Sequence, residues 1–124
     1  MNWKFRGDLP IYSQLVEQIQ LAIVSGTFRP GERLASVRDM ASEAGVNPNT
    51  MQRALQELER ESMVYSQRTS GRYVTEDMQV IERAKKQFAE EQIRGFLEAM
   101  RKLGYQQEEI LSMLKERKDE HADS

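Results

Sequence analysis

Two stretches of helical periodicity stand only three residues apart, and this spacing constrains the fold more than any other feature of the chain. The first opens at Ser36, with Asp39 three residues on in an approximate capping box, and carries Val37, Met40, Ala41 and Ala44 as its apolar face. Gly45 closes it. The second opens at Asn47-Pro48, an N-cap followed by proline at the first helical position. Met51, Ala54, Leu55 and Leu58 then recur at i, i+3, i+4 and i+7 up to about Glu61. Only Gly45-Val46-Asn47 separates the two. Ala41 and Ala44 permit a close crossing, and Val46 is placed to fill the angle, so the pair is expected to form a helix-turn-helix.

The flanking segments complete that unit. Upstream, Leu15, Ile19, Ala22 and Ile23 give an amphipathic helix that begins at Pro10, suited to a first helical position, and ends at Ser25-Gly26. Pro30-Gly31 marks a turn. Downstream of Glu61 the period changes to two. Met63-Val64-Tyr65-Ser66 and Gly71-Arg72-Tyr73-Val74-Thr75 read as a hairpin whose tip, residues 67–71, is flanked by Arg68 and Arg72. Two arginines there suit a narrow, electronegative minor groove. The fold class is therefore mainly α (α+β): a winged helix-turn-helix over residues 1–75, followed by a two-helix appendage over residues 76–124. Val80, Ala84, Phe88, Phe96, Met100 and Leu103 mark a long helix from about Thr75 to Leu103, with Gly95 as one interior soft spot and Gly104 at its end. Glu108-Glu109 sit near the start of a last helix, the end its dipole favours, with Ile110, Leu111 and Leu114 as its apolar side. The tail, KERKDEHADS, is expected to be frayed or disordered.

Composition removes several classes. Apolar residues make up 39% and charged residues 31% of 124 residues, the balance of a soluble globular protein. No apolar run approaches the length of a membrane span, and MNWKFRGDLP lacks the apolar core of a secretory signal, so a cytoplasmic protein with no membrane partner is expected. There is no cysteine, which excludes disulfides, zinc fingers and thiol catalysis. With no phosphate-binding glycine loop, no metal-ligand cluster and no nucleophile–histidine pairing, no enzyme, metal or cofactor is expected. His121, the only histidine, falls in the tail. Net charge is −2, which by itself lends nucleic-acid binding no help. Residues 1–75 hold 9 Lys/Arg against 8 Asp/Glu, a net of +1, and residues 76–124 hold 9 against 12, a net of −3. Affinity for DNA must then come from a few well-placed contacts, doubled by a second copy.

Polar side chains near the start of the second helix of the pair supply such contacts. Asn49, Thr50, Gln52, Arg53 and Gln56 lie off its apolar stripe and are rich in the donors and acceptors that base edges and phosphates demand.

The order and spacing of these residues resemble the GntR family of bacterial repressors. The likeness runs from Pro10-Ile11-Tyr12 and Gln14 through Pro30-Gly31-Glu32-Arg33-Leu34, Ser36-Val37-Arg38 and Ala41. It continues through Val46-Asn47, Thr50, Arg53-Ala54-Leu55 and Leu58 to Gly71-Arg72-Tyr73-Val74. Ala35 replaces a usual proline, Ser62 a common glycine, and Thr69-Ser70-Gly71 a glycine-rich wing. The resemblance implies DNA contacts from Ser36 and Arg38, from Asn47, Asn49, Thr50 and Gln52 with Arg53 close by, and from Ser70, Gly71 and Arg72 on the wing. Pro48 and Gln52 stand where relatives often carry arginine, which implies a different base preference. The 49 residues after Thr75 (124 − 75) suit the YtrA-like subfamily, whose short two-helix region mediates dimerisation. That places Phe88, Phe96, Met100, Leu103, Ile110 and Leu114 in a dimer interface rather than around an effector, because so small a unit buries little surface alone. The partners implied are double-stranded operator DNA, with inverted half-sites about one helical turn apart, and a second copy of the chain. No site for a small-molecule effector is visible. The competing reading is a winged-helix adaptor that binds protein and no operator.

Overall fold

The computed structural model describes residues 1–117. Its elements are α1 (Ile11–Val24), α2 (Val37–Ala44), α3 (Pro48–Arg60), β1 (Val64–Gln67), β2 (Gly71–Val74), α4 (Met78–Lys102) and α5 (Gln107–Arg117). They fall into two compact units, Met1–Lys85 and a second that starts at Lys86.

The first unit is a winged helix. α1 crosses α3, and α2 packs on α3 through the turn between them. Both helix starts are capped as their sequences require. Asp39 N donates to Ser36 Oγ at 3.1 Å, and Asn49 N donates to Asn47 Oδ1 at 2.7 Å. Pro10 sits one place earlier than its sequence suggests, as the N-cap of α1 rather than inside it. Gly45 ends α2 at φ +71, a left-handed conformation that lets the chain turn at once into α3. Ser62 makes the corresponding turn after α3 at φ +65 without being glycine, so the departure noted in the sequence carries backbone strain.

Leu15, Ile19, Met51, Ala54, Leu58 and Val74 are completely buried and form the centre of the core. Each large apolar side chain among them contributes about 1.5–3 kcal/mol through burial. The first turns of α4 join this core through Ile81, with Val80 and Ala84 packed at its edge.

β1 and β2 pair antiparallel, with Tyr65 opposite Tyr73 and Ser66 opposite Arg72. The chain before α2 acts as a third strand. Gly31 N donates to Val74 O at 2.9 Å, Val74 N to Glu32 O at 2.8 Å, and Leu34 N to Arg72 O at 2.9 Å. The wing is thereby tied to the entrance of α2. An extended arm precedes α1 and is held by two glutamines one turn apart. Gln18 bonds both the N–H and the C=O of Lys4, and Gln14 does the same for Arg6. Trp3 and Phe5 alternate with these residues, stack on one another and pack against the core.

In the second unit, α4 and α5 are joined at Gly104, and residues 115–117 still belong to α5. The rest of the expected disordered tail, with His121, lies outside the described residues.

Candidate nucleic-acid interface

The helix starts present the predicted contact residues at the surface. Ser36 and Asn47 are exposed, but their side-chain oxygens are occupied by the caps, so each fixes a helix end. Arg38, in the first turn of α2, is exposed and has no ion-pair or hydrogen-bond partner among the described residues. Asn49 is exposed and Thr50 half-buried at the start of α3. The exposed Arg53 lies over the ring of Tyr12, its guanidinium carbon 4.7 Å from the ring centre.

The wing departs from the picture of two free arginines. Arg68 is exposed at the tip, and Ser70 and Gly71 turn the chain there, Gly71 at φ +111. Arg72 points back into the fold, its side chain only 17% exposed. Its Nε donates to Glu59 Oε1 and its Nη1 to Gln52 Oε1, the latter at 3.3 Å. The structure thus joins two predicted contact residues, Gln52 and Arg72, to each other. Ser66 Oγ donates to the same Glu59 oxygen at 2.6 Å. Burial works against the charge of Glu59, but the Ser66 hydroxyl and the Arg72 guanidinium together hold its carboxyl below the ordinary range.

A second cluster sits where α3 meets α1. Tyr12 OH donates to Glu57 Oε1 at 3.3 Å, and Arg60 pairs with the same carboxylate. A hydrogen bond from the Glu61 carboxyl, assisted by Arg60 and Tyr12 against desolvation, holds Glu57 low. Burial, and then the nearby Glu57 charge, push Glu61 up despite the Gln20 amide 2.6 Å away. Burial and the charge of Glu57 push Tyr12 up, so its ring stays neutral beneath Arg53.

A family model described as bacterial regulatory proteins of the gntR family matches residues 11–74. The chain belongs to the GntR family. It is 36% identical over 115 residues to the HTH-type transcriptional regulator YhcF of Bacillus subtilis, covering 93% of this chain and 95% of that one. It is 31% identical to the HTH-type transcriptional repressor YtrA of the same organism, covering 90% and 86%. A solved GntR family transcriptional regulator from Listeria monocytogenes superposes with a TM-score of 0.82 at 40% identity, covering 90% of this chain and 98% of that one. The chain is accordingly a transcriptional regulator with a DNA-binding winged helix, and the relatives that match it over most of its length are transcriptional regulators.

In this GntR-family regulator, the structure gives Arg33 of the family motif a place, and sequence reasoning passed over two other features. Arg33 is exposed beside the wing, its Nε 3.4 Å from where a Cβ on Gly71 would stand. Tyr12 supports Arg53 from another helix. The arm of residues 1–9 braces α1, and the alternation Trp3-Lys4-Phe5-Arg6 was its available signal. The proposed interface residues of the second unit differ in exposure. Phe96, Leu103 and Leu114 are exposed, Phe88 and Met100 are half-buried, and Ile110 is buried by its own chain.

Proposed function

We propose that this regulator is a cytoplasmic, homodimeric repressor that binds an inverted-repeat operator, with α3 in the major groove and the hairpin against the minor groove. The observation that carries this reading is the free surface at the two helix starts. Arg38, Asn49 and Arg53 are exposed there on capped helices, with the half-buried Gln52 beside them, and α3 has no exposed large apolar residue. Such a surface serves phosphates and base edges and gives a protein adaptor no apolar anchor.

Arg38 and Arg53 contact phosphate, Asn49, Thr50 and Gln52 read bases, and Ser36 and Asn47 approach the backbone as caps. Ser70 and Gly71 bring the wing backbone close to the groove. Phe96, Leu103 and Leu114 meet their counterparts across a two-fold axis, with Phe88 and Met100 at the margin and Ile110 packed beneath. Repression is supported by the name of the YtrA relative. No helix among the described residues is long and apolar enough to cross a membrane.

The test is a titration of the purified full chain against the DNA upstream of its own gene, alongside light scattering for its mass. A dimer that shifts that fragment at low salt, discriminates it from unrelated DNA and protects two inverted half-sites is the expected result. Deleting the gene should raise transcription from the same promoter. A chain that shifts no upstream fragment, or binds all DNA alike, overturns the operator reading.

A further inference from the structure

Gln52 and Glu59 are seven residues, two turns, apart on one face of α3, and Arg72 bridges them from the wing. A guanidinium carries donors only, so the Gln52 atom that faces it has to be the amide oxygen. The orientation of this amide is therefore fixed by chemistry. Gln52 Nε2 makes no hydrogen bond among the described residues and is left with both N–H groups to offer.

A glutamine with both ends free pairs with adenine, accepting from N6 and donating to N7. A glutamine whose oxygen is already held by a charged donor matches a different edge. The oxygen keeps a second lone pair, but adenine N6 reaching it would set its own donor beside the Arg72 guanidinium, and cytosine N4 meets the Nε2 donor with a donor. Guanine O6 and N7 are two adjacent acceptors, which two N–H groups satisfy together. We propose that Arg72 is a positioning residue, anchored by Glu59, that holds the Gln52 oxygen toward the wing, leaves its two N–H groups to face the bases and so selects guanine over adenine at one operator position. This rests on α3 lying in the major groove. It assigns the wing a part in base selection through the recognition helix, apart from any contact of its own with DNA.

The test is selection from randomised duplex DNA by the full chain and by Gln52→Ala, Arg72→Ala and Glu59→Gln, with sequencing of the bound pools. In the wild-type pool one column of each half-site is expected to be guanine, and Gln52→Ala should flatten that column alone. Arg72→Ala should keep the column informative while adenine rises against guanine by about fivefold, the low end of what one good bidentate pair discriminates. Glu59→Gln leaves both strands and Gln52 in place and should shift the same column the same way by a smaller factor. It carries the test if Arg72→Ala does not fold.

Three results overturn the inference: a Gln52-dependent column of adenine or cytosine, a guanine column indifferent to both variants, or Arg72→Ala weakening every sequence equally. The last, joined to a salt slope lower by about one, would put Arg72 on a phosphate. A wild-type pool with no enriched sequence fails earlier, removing the base-reading role of α3 and this inference with it.

Discussion

The two units of this chain use apolar residues in opposite ways. In the first, the stripes of α1, α2 and α3 are consumed by one core, with Leu15, Ile19, Met51 and Leu58 fully buried. In the second, Ile93, Phe96, Leu103, Leu111, Met113 and Leu114 are exposed large hydrophobics, and Ile110 is the buried apolar residue of α5. A unit that satisfies itself can devote its surface to polar recognition. A unit that leaves its apolar side open has surface to offer for association, as the proposed dimer requires. On the proposed function, reading DNA and assembling the reader fall to different parts of the chain.

The largest expected effect attacks the open surface. Phe96→Asp combined with Leu111→Asp should convert the proposed dimer to a monomer in light scattering. Operator affinity should fall by about 100-fold or more, since two half-sites no longer act together. A double variant that stays dimeric breaks the contrast, because assembly would then lie elsewhere. Next comes the closed core. Leu58→Ala should lower the unfolding free energy by about 3 kcal/mol in a denaturant titration, with the mass of the native fraction unchanged.

Smaller effects refine the polar surface. Arg38→Ala should weaken operator binding about tenfold and lower the slope of log affinity against log salt by about one. The melting temperature should stay constant, and a fall would make Arg38 a structural residue. Ser62→Gly should stabilise the first unit by about 1 kcal/mol, because the left-handed backbone no longer opposes a Cβ. Calorimetry should register this as a rise of roughly 4 °C.

How much of this was legible follows from the range of each interaction. The turn between α2 and α3 was readable because Ser36, Gly45 and Asn47 act on backbone within a few residues of themselves. The strained turn at Ser62 could be anticipated for the same reason. The direction of Arg72 could not. A hairpin arginine beside a glycine is indistinguishable in sequence from one at a free tip, and its target, Glu59, lies 13 residues away on a helix. The third strand formed by residues 31–34 escaped likewise, since Pro30-Gly31 signals a turn and leaves open what the chain pairs with afterwards. Ile110 shows the limit within a single stripe. Its neighbours Leu111 and Leu114 are exposed and it is buried, a difference set by packing that periodicity does not resolve.

The smallest expected effect is also the one that tests the anchor of the wing. Burial opposes ionisation of Glu59, but hydrogen bonds from Ser66 and Arg72 prevail, so its folded carboxyl binds a proton less readily than the unfolded one. The stability this carboxylate confers is therefore complete above its ordinary titration range, around pH 4, and is lost as pH falls through the lower, folded range. Glu61 works in the opposite direction. Burial and Glu57 raise its carboxyl, so its proton is held more tightly when folded, and its contribution grows as the solution becomes acidic. A melting curve of the wild type against pH mixes the two signs. Comparing it with Glu59→Gln separates them, because glutamine keeps the shape and loses the titration. The wild type should melt above Glu59→Gln at neutral pH, and the gap should close on acidification below the carboxylate range. A gap that stays constant with pH would make Glu59 a packing residue, and Arg72 would then be held by Gln52 and the sheet alone.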